Sequence, residues 1–184
     1  ATGNVAAKVT LGPQSGAFLT FFPDTPRTNQ APQVIEVFAP ELRAKRGQVT
    51  FLGGAQAHES PLTGSESRLR SEMLEVRFGE DLQAVEGIRA VDNVVYEQGT
   101  PGVTNGPAVY RKLIARTITS QSTAATNGLS DLVAEGEVQV EQADYIGRGD
   151  RATYTAGTQV LELTGQPTLE TPELIITEAR TLVW

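Results

Sequence analysis

The sequence predicts an all-β fold, and three observations carry that prediction. Apolar and polar residues alternate at the two-residue period of a strand, most plainly at 137–141 and 73–78. Glycine and proline interrupt the alternation at short intervals, as they do between short antiparallel strands. Helical periodicity is nowhere sustained; the best candidate, residues 62–76, carries too much β and turn character to displace a strand.

Taken in order, residues 8–11 alternate and residues 17–22 are apolar, each suited to a sheet edge. Residues 23–32 hold three prolines together with Asp24, Asn29 and Gln30, the composition of a linker. A boundary therefore falls at residue 33: residues 1–33 form an N-terminal segment of edge strands and Pro-rich linker, and residues 34–184 form the main domain. Residues 34–39 and 48–52 read as strands around a charged corner at 41–46, with Gly53 and Gly54 as a bulge or turn. After a turn-rich stretch at 59–67, residues 73–78 place Leu74, Val76 and Phe78 on one side and Glu75 and Arg77 on the other. Residues 82–97 read as a strand pair, 99–107 as a long mobile loop, 108–119 as β again and 120–128 as an exposed connection.

The stretch 136–181 is the most legible. Val138 and Val140 share one strand face, Gly147 and Gly149 bracket a turn, and Ala152 and Tyr154 fall two apart. Leu161 and Leu163 follow the Ala156–Gly157 turn signal. Gly165, Gln166 and Pro167 end that strand, and Leu174 and Ile176 open another. Proline fixes φ and has no ladder donor, so Pro167 and Pro172 belong at corners or strand starts.

An internal period runs through these elements. Val49, Val94 and Val138 stand 45 and 44 residues apart, and the interval from Val94 to Ala108 and Tyr110 equals that from Val138 to Ala152 and Tyr154. Ile176, Ala179 and Leu182 repeat the spacing around Val37, Ala39 and Leu42. Quasi-repeats of a few strands cannot bury an apolar face alone, so stacked units share one interior.

Composition narrows the function. A chain of 184 residues suffices for one well-cored β domain. A net charge of -7 and a pI near 4.8 argue against nucleic acid, whose phosphates select basic surfaces. There is no cysteine, hence no disulfide or thiolate chemistry. His58 is the only histidine and reads as a surface residue, so neither a two-histidine metal site nor a serine triad can be built. Glu137, Glu141 and Glu162 fall at outward positions, and no phosphate loop or dinucleotide fingerprint occurs. Arg148–Gly149–Asp150 reads as turn chemistry rather than an adhesion tripeptide. No enzyme activity, cofactor or metal is expected. The longest apolar run, 17–22, is far below the roughly 20 residues that span a bilayer. The chain opens at Ala1 without a signal pattern, so a signal or anchor ahead of it is an expectation.

What the alternation leaves is an apolar inner face of Val49, Phe51, Leu74, Val76, Phe78, Val94, Tyr96, Tyr110, Val138, Val140, Tyr154, Leu161 and Leu163. It can be a closed core. It can also be a groove, because small and β-branched side chains with only 6% aromatics close poorly on themselves.

Gly136, Val138, the Gly149, Ala152, Tyr154 set, the Leu161, Leu163, Thr164, Gly165 ending and the Ile176, Ala179, Leu182 spacing together carry a resemblance. A second match lies at Ala39, Leu42, Gly47, Val49, Phe51, Gly53 and Gly54. Over most of residues 34–184 the chain resembles the OstA-like family, LptA-type and LptC-type periplasmic proteins that carry lipopolysaccharide toward the outer membrane; residues 1–33 are not covered. The resemblance implies an elongated antiparallel β-jellyroll, a V-shaped folded sheet or "β-taco", whose inner face takes acyl chains while anionic head groups stay outside. It implies a non-enzymatic periplasmic carrier, either free or held by an anchor outside this chain. Its partners would be lipopolysaccharide and other Lpt-type jellyroll domains joined edge to edge, including head-to-tail copies of itself. Arg43, Lys45, Arg46, Arg68 and Arg70 then become rim cations. The rival reading is a structural β module with a closed core and pairing edges.

Overall fold

The computed structural model describes residues 1–11, 33–59, 66–80, 85–100, 109–122, 129–155 and 158–183. They form β1 (Thr2–Leu11), β2 (Gln33–Lys45), β3 (Gln48–Glu59), β4 (Glu66–Phe78), β5 (Val85–Thr100) and β6 (Val109–Ser122). These are followed by β7 (Leu129–Gln142), β8 (Tyr145–Thr155), β9 (Val160–Thr164), β10 (Thr168–Glu170), β11 (Ile175–Ile176) and β12 (Thr181–Val183). No helix occurs among the described residues. All twelve strands belong to one antiparallel sheet, with β1 to β8 side by side in chain order. β9 and β10 then pair with the two ends of β8, β12 adds to β9, and β11 adds to β10.

One line of bulges crosses this sheet. Gly3–Asn4 on β1, Gly53–Gly54 on β3, Asp92–Asn93 on β5 and Gly136–Glu137 on β7 each set two residues against one on the next strand. The opposing residues are Pro40, Glu72, Arg116 and Asp150. The corner Gly165–Gln166 between β9 and β10 continues the line. Except for Asn4, every residue of these pairs has positive φ, from 52° at Gln166 to 106° at Gly3. Glycine, asparagine and aspartate enter that region most readily. An extra residue in this conformation bends its strand and sharpens the local twist. Five such bends in register fold the sheet into two halves.

The side-chain alternation shifts by one on the strands opposite the bulges and keeps its phase along the bulged strands themselves, so that the same face stays inward on both sides of the bend. On β4 the buried residues run Ser67, Leu69, Ser71 and then Leu74, Val76; on β5 they run Ile88, Ala90 and then Val94, Tyr96, Gln98. Inward residues of both halves form a single core cluster. With no helix and no second sheet among the described residues, the inner face of each half is covered by the other.

The expectation of an all-β antiparallel sheet folded on itself is met, and Gly53–Gly54 is indeed a bulge. Several boundaries are corrected. The charged stretch 41–46 is no corner: β2 continues to Lys45, and the turn is Arg46–Gly47. Residues 82–97 are not a strand pair within the described set, because Val85–Thr100 is one strand bent at Asp92–Asn93. Gly147 and Gly149 do not bracket a turn; β8 runs through both, and the turn falls earlier at Ala143–Asp144, where Ala143 carries φ 49°. The Arg148–Gly149–Asp150 triplet is therefore strand, with Asp150 at the bend. Glu59, Ser67 and Ser120 lie in strands and are buried, not in exposed connections. The expectations for 17–22, 23–32, 101–107 and 123–128 fall outside the described residues.

The internal period survives in altered form. Val94 and Val138 are equivalent, each directly after a bulge, but the matching place on β3 belongs to Ala55 rather than Val49. Ala152 and Tyr154 correspond to Ile118 and Ser120, not to Ala108 and Tyr110. By contrast, Val37 and Ile176 share one inward row, and Leu42 and Leu182 share another.

Candidate functional site

The inward rows can be read across the register. In the half that holds the N-terminal part of β4, the row beside the bend contains Ala39, Ala55, Ser71, Val94, Ala115 and Val138. The next contains Val37, Ala57, Leu69, Tyr96, Leu113 and Val140. In the other half, Leu42, Phe51, Leu74, Ala90, Ile118, Ala134, Ala152 and Leu163 stand beside the bend, backed by Val49, Val76, Ile88, Ser120, Leu132, Tyr154 and Leu161. In the second half these rows run from β2 to β9; in the first they run from β2 to β7, with Gly149 and Gly147 at the same places on β8.

Every residue named from sequence for the inner face lies in this core or against it, apart from Tyr110, whose side chain is outside the described set. Val49 and Phe78 are half-buried and pack against the cluster; the rest are 6% exposed or less. The sequence reading missed Ile35, Leu69, Ile88, Leu113, Ile118 and Leu132; on β4 a phase shift opposite the bulge separates Leu69 from Leu74 and Val76, whereas Ile88 and Leu132 keep the phase of Val94 and Val138 across the bulge. It also missed the alanines, which strand propensity ranks low but which a bend needs for close approach.

The third inward row of the first half is different. Beyond Val37 and Ala57 come Ile35, Glu59, Ser67, Gln98 and Arg111, in register across β2 to β6. Glu59, Ser67 and Gln98 are 1%, 0% and 2% exposed. The Tyr96 hydroxyl donates to Gln98 Oε1 at 3.2 Å and lies 3.3 Å from Ser67 Oγ, which is left as the donor of that second bond. The Arg111 charge reaches across to Tyr154 in the other half.

Burial pushes the Tyr154 hydroxyl above the ordinary tyrosine pKa, and the Arg111 charge offsets part of the rise. A folded-state pKa above the unfolded value favours the neutral phenol. The contribution is thus intact below the unfolded pKa near 10 and is lost as pH rises through the folded value. Urea midpoints of the wild type should fall between pH 9 and pH 11, and Tyr154→Phe should make the fall shallower. An unchanged slope in the variant would show that Tyr154 is not the group responsible.

The outward face is charged and paired. Arg70 faces Glu97 at 3.6 Å, Lys112 faces Glu141 at 3.9 Å, Arg148 faces Glu170 at 3.2 Å, and Arg151 bonds Glu135. Such exposed pairs contribute about 0–1 kcal/mol each and act mainly to keep this face wet. His58 sits on this face, 3.8 Å from Glu66. Of the rim cations, Arg43 pairs with Glu41 at 2.6 Å, and Arg68 approaches Glu66 at 3.5 Å. No group of three or more acidic or histidine side chains that could hold a metal occurs among the described residues.

A single antiparallel sheet, bent along one line around an apolar interior, defines a folded-sheet β domain. Residues 41–181 match the family described as LptA/(LptD N-terminal domain) LPS transport protein, and the chain belongs to that family. The fold is similar to that of LptH, the LptA homologous periplasmic component of the lipopolysaccharide transport device from Pseudomonas aeruginosa. That likeness has a TM-score of 0.52 at 12% identity and covers 82% of this chain and 93% of that one. No curated protein matches the sequence.

Proposed function

We propose that this protein is a non-enzymatic periplasmic carrier of lipopolysaccharide, holding acyl chains of the lipid A part along the inner face on the way to the outer membrane. The observation that carries the reading is the continuity of the largely apolar inward rows, from β2 to β7 in one half and from β2 to β9 in the other, with Val49, Phe51, Leu74, Val76, Phe78, Val94, Tyr96, Val138, Val140, Tyr154, Leu161 and Leu163 on or against them. Tyr110 joins this set on sequence grounds alone. Acyl chains on such a surface gain about 25 cal/mol per Å² of apolar area removed from water. The two halves must part to admit them, since the inward side chains are now shut against one another.

That closure favours a second reading, a structural module whose core stays closed. Lipid extraction and mass spectrometry of the purified protein separate the two. The carrier co-purifies with, or takes up, acylated lipid; a protein that stays lipid-free in the presence of lipid A micelles is the closed module.

Partners follow from the edges. Among the described residues no further strand pairs with the outer edge of β1 or with the β11–β12 end, and Leu174, Ile175 and Val183 at the latter are more than half exposed. Pairing of these edges joins copies, or related Lpt-type domains, head to tail into a longer inner face. Light scattering over a concentration series should show oligomers of graded size; a monomer at every concentration removes this part of the proposal. The division at residue 33 belongs here too, with β1 as an edge strand added to a domain of residues 34–184.

A further inference from the structure

Polar side chains seldom sit inside an apolar interior without a task, because each must recover there the hydrogen bonds it gave up in water. Here, Ser71 beside the bend and Ser120 in the other half aside, they lie together. Glu59, Ser67, Gln98 and Arg111 occupy one register row, four residues along each strand from the row beside the bend, or about 13 Å at the strand rise. The inner face therefore grades from apolar at the bend to polar at the far side of this half. Its bonds lie within this half: Ser67 on β4 and Tyr96 and Gln98 on β5 satisfy one another.

We infer that this row is a latch, the lip at which the two halves part. Separating two apolar surfaces exposes area that water penalises, whereas polar groups that keep their own bonds as the halves part also gain water at little net cost. Opening therefore starts at the polar row and ends at the bend. An amphiphile entering there meets the same gradient in its own structure: chains pass toward the bend, and the ester or amide groups that link them to the head take up the bonds of Ser67, Tyr96 and Gln98. That last step rests on the carrier reading above; the latch itself does not.

The chain has no cysteine, so a single introduced thiol reports opening directly. Ser67→Cys and Ser71→Cys place isosteric probes on one strand, the first in the polar row and the second beside the bend. In the static structure Ser71 is the more exposed, at 5% against 0%. The latch predicts the opposite order: without lipid, a thiol reagent such as Ellman's reagent should label Ser67→Cys at least 10-fold faster than Ser71→Cys. Adding Gln98→Leu to Ser67→Cys should slow the labelling several-fold, because an apolar lip no longer gains from hydration. Equal rates, or faster labelling at residue 71, would overturn the latch, and neither outcome depends on lipid. With the latch established, cis-parinaric acid should protect the residue-67 thiol; labelling undiminished by a saturating excess would count against the carrier reading instead.

Discussion

Gly165→Ala should cost about 3 kcal/mol of unfolding free energy, lowering the melting temperature by roughly 6–12 °C for a chain of this size. Gly165 sits at the bend with φ +77°, and a Cβ built there would fall well inside contact distance of Asp150 Cβ, the residue that opposes it. Both components are backbone-fixed. The left-handed conformation costs a non-glycine residue about 1–2 kcal/mol, and relieving the clash costs about as much again, because Asp150 N donates to Gly165 O at 3.1 Å and holds the strands together there. Gly54→Ala separates the components: its φ is +98°, but nothing lies within 4 Å of the added carbon, so it should cost only the conformational part. Gly136→Ala, with Arg116 Cβ 2.8 Å from the added carbon and φ +82°, should fall with Gly165→Ala. Urea denaturation of the three variants gives the order. If Gly54→Ala is as damaging as Gly165→Ala, close packing across the bend is not what the glycines serve.

The bend also explains which parts of the fold were legible in the sequence. Alternation within one run of residues was enough to put Leu74 with Val76, Val138 with Val140 and Leu161 with Leu163 on one face, and all are buried. Joining runs was harder. Asp92–Asn93 and Gly136–Glu137 carry the same geometry as Gly53–Gly54, yet only a pair of glycines announces itself as a bulge; aspartate and asparagine read as ordinary loop residues, and Glu137 as the outward end of a strand. Without the bulge, residues 85–100 break into two strands, and the period of the repeat is anchored on Val49 instead of Ala55. The polar row was illegible for a different reason. Glu59, Ser67 and Gln98 stand among residues that favour turns and loops, and only the strand register shows that they continue the buried face.

Leu163→Arg should be the most damaging single substitution on the inner face, and Glu162→Arg, one residue away, should be nearly silent. Leu163 is fully buried in the row beside the bend, in register with Ala152 on one side and Leu182 on the other. Removing it gives up a buried leucine worth about 2–3 kcal/mol, and arginine adds a charge with no partner in that row, so a loss of about 4 kcal/mol or more is expected. Against a typical stability of about 5–15 kcal/mol, that approaches unfolding. Glu162 points the other way and is exposed, between Thr153 and Val183 in the ladder, and an exposed charge change there should stay within about 0.5 kcal/mol. Circular dichroism and urea midpoints measure the difference in stability. Lipid A binding, compared at a temperature where both variants remain folded, then asks whether the buried face is also the lipid face: Leu163→Arg should bind weakly and Glu162→Arg like the wild type. If both bind equally well while Leu163→Arg is destabilised, residue 163 belongs to a core that never opens, and the lipid is held elsewhere on the molecule.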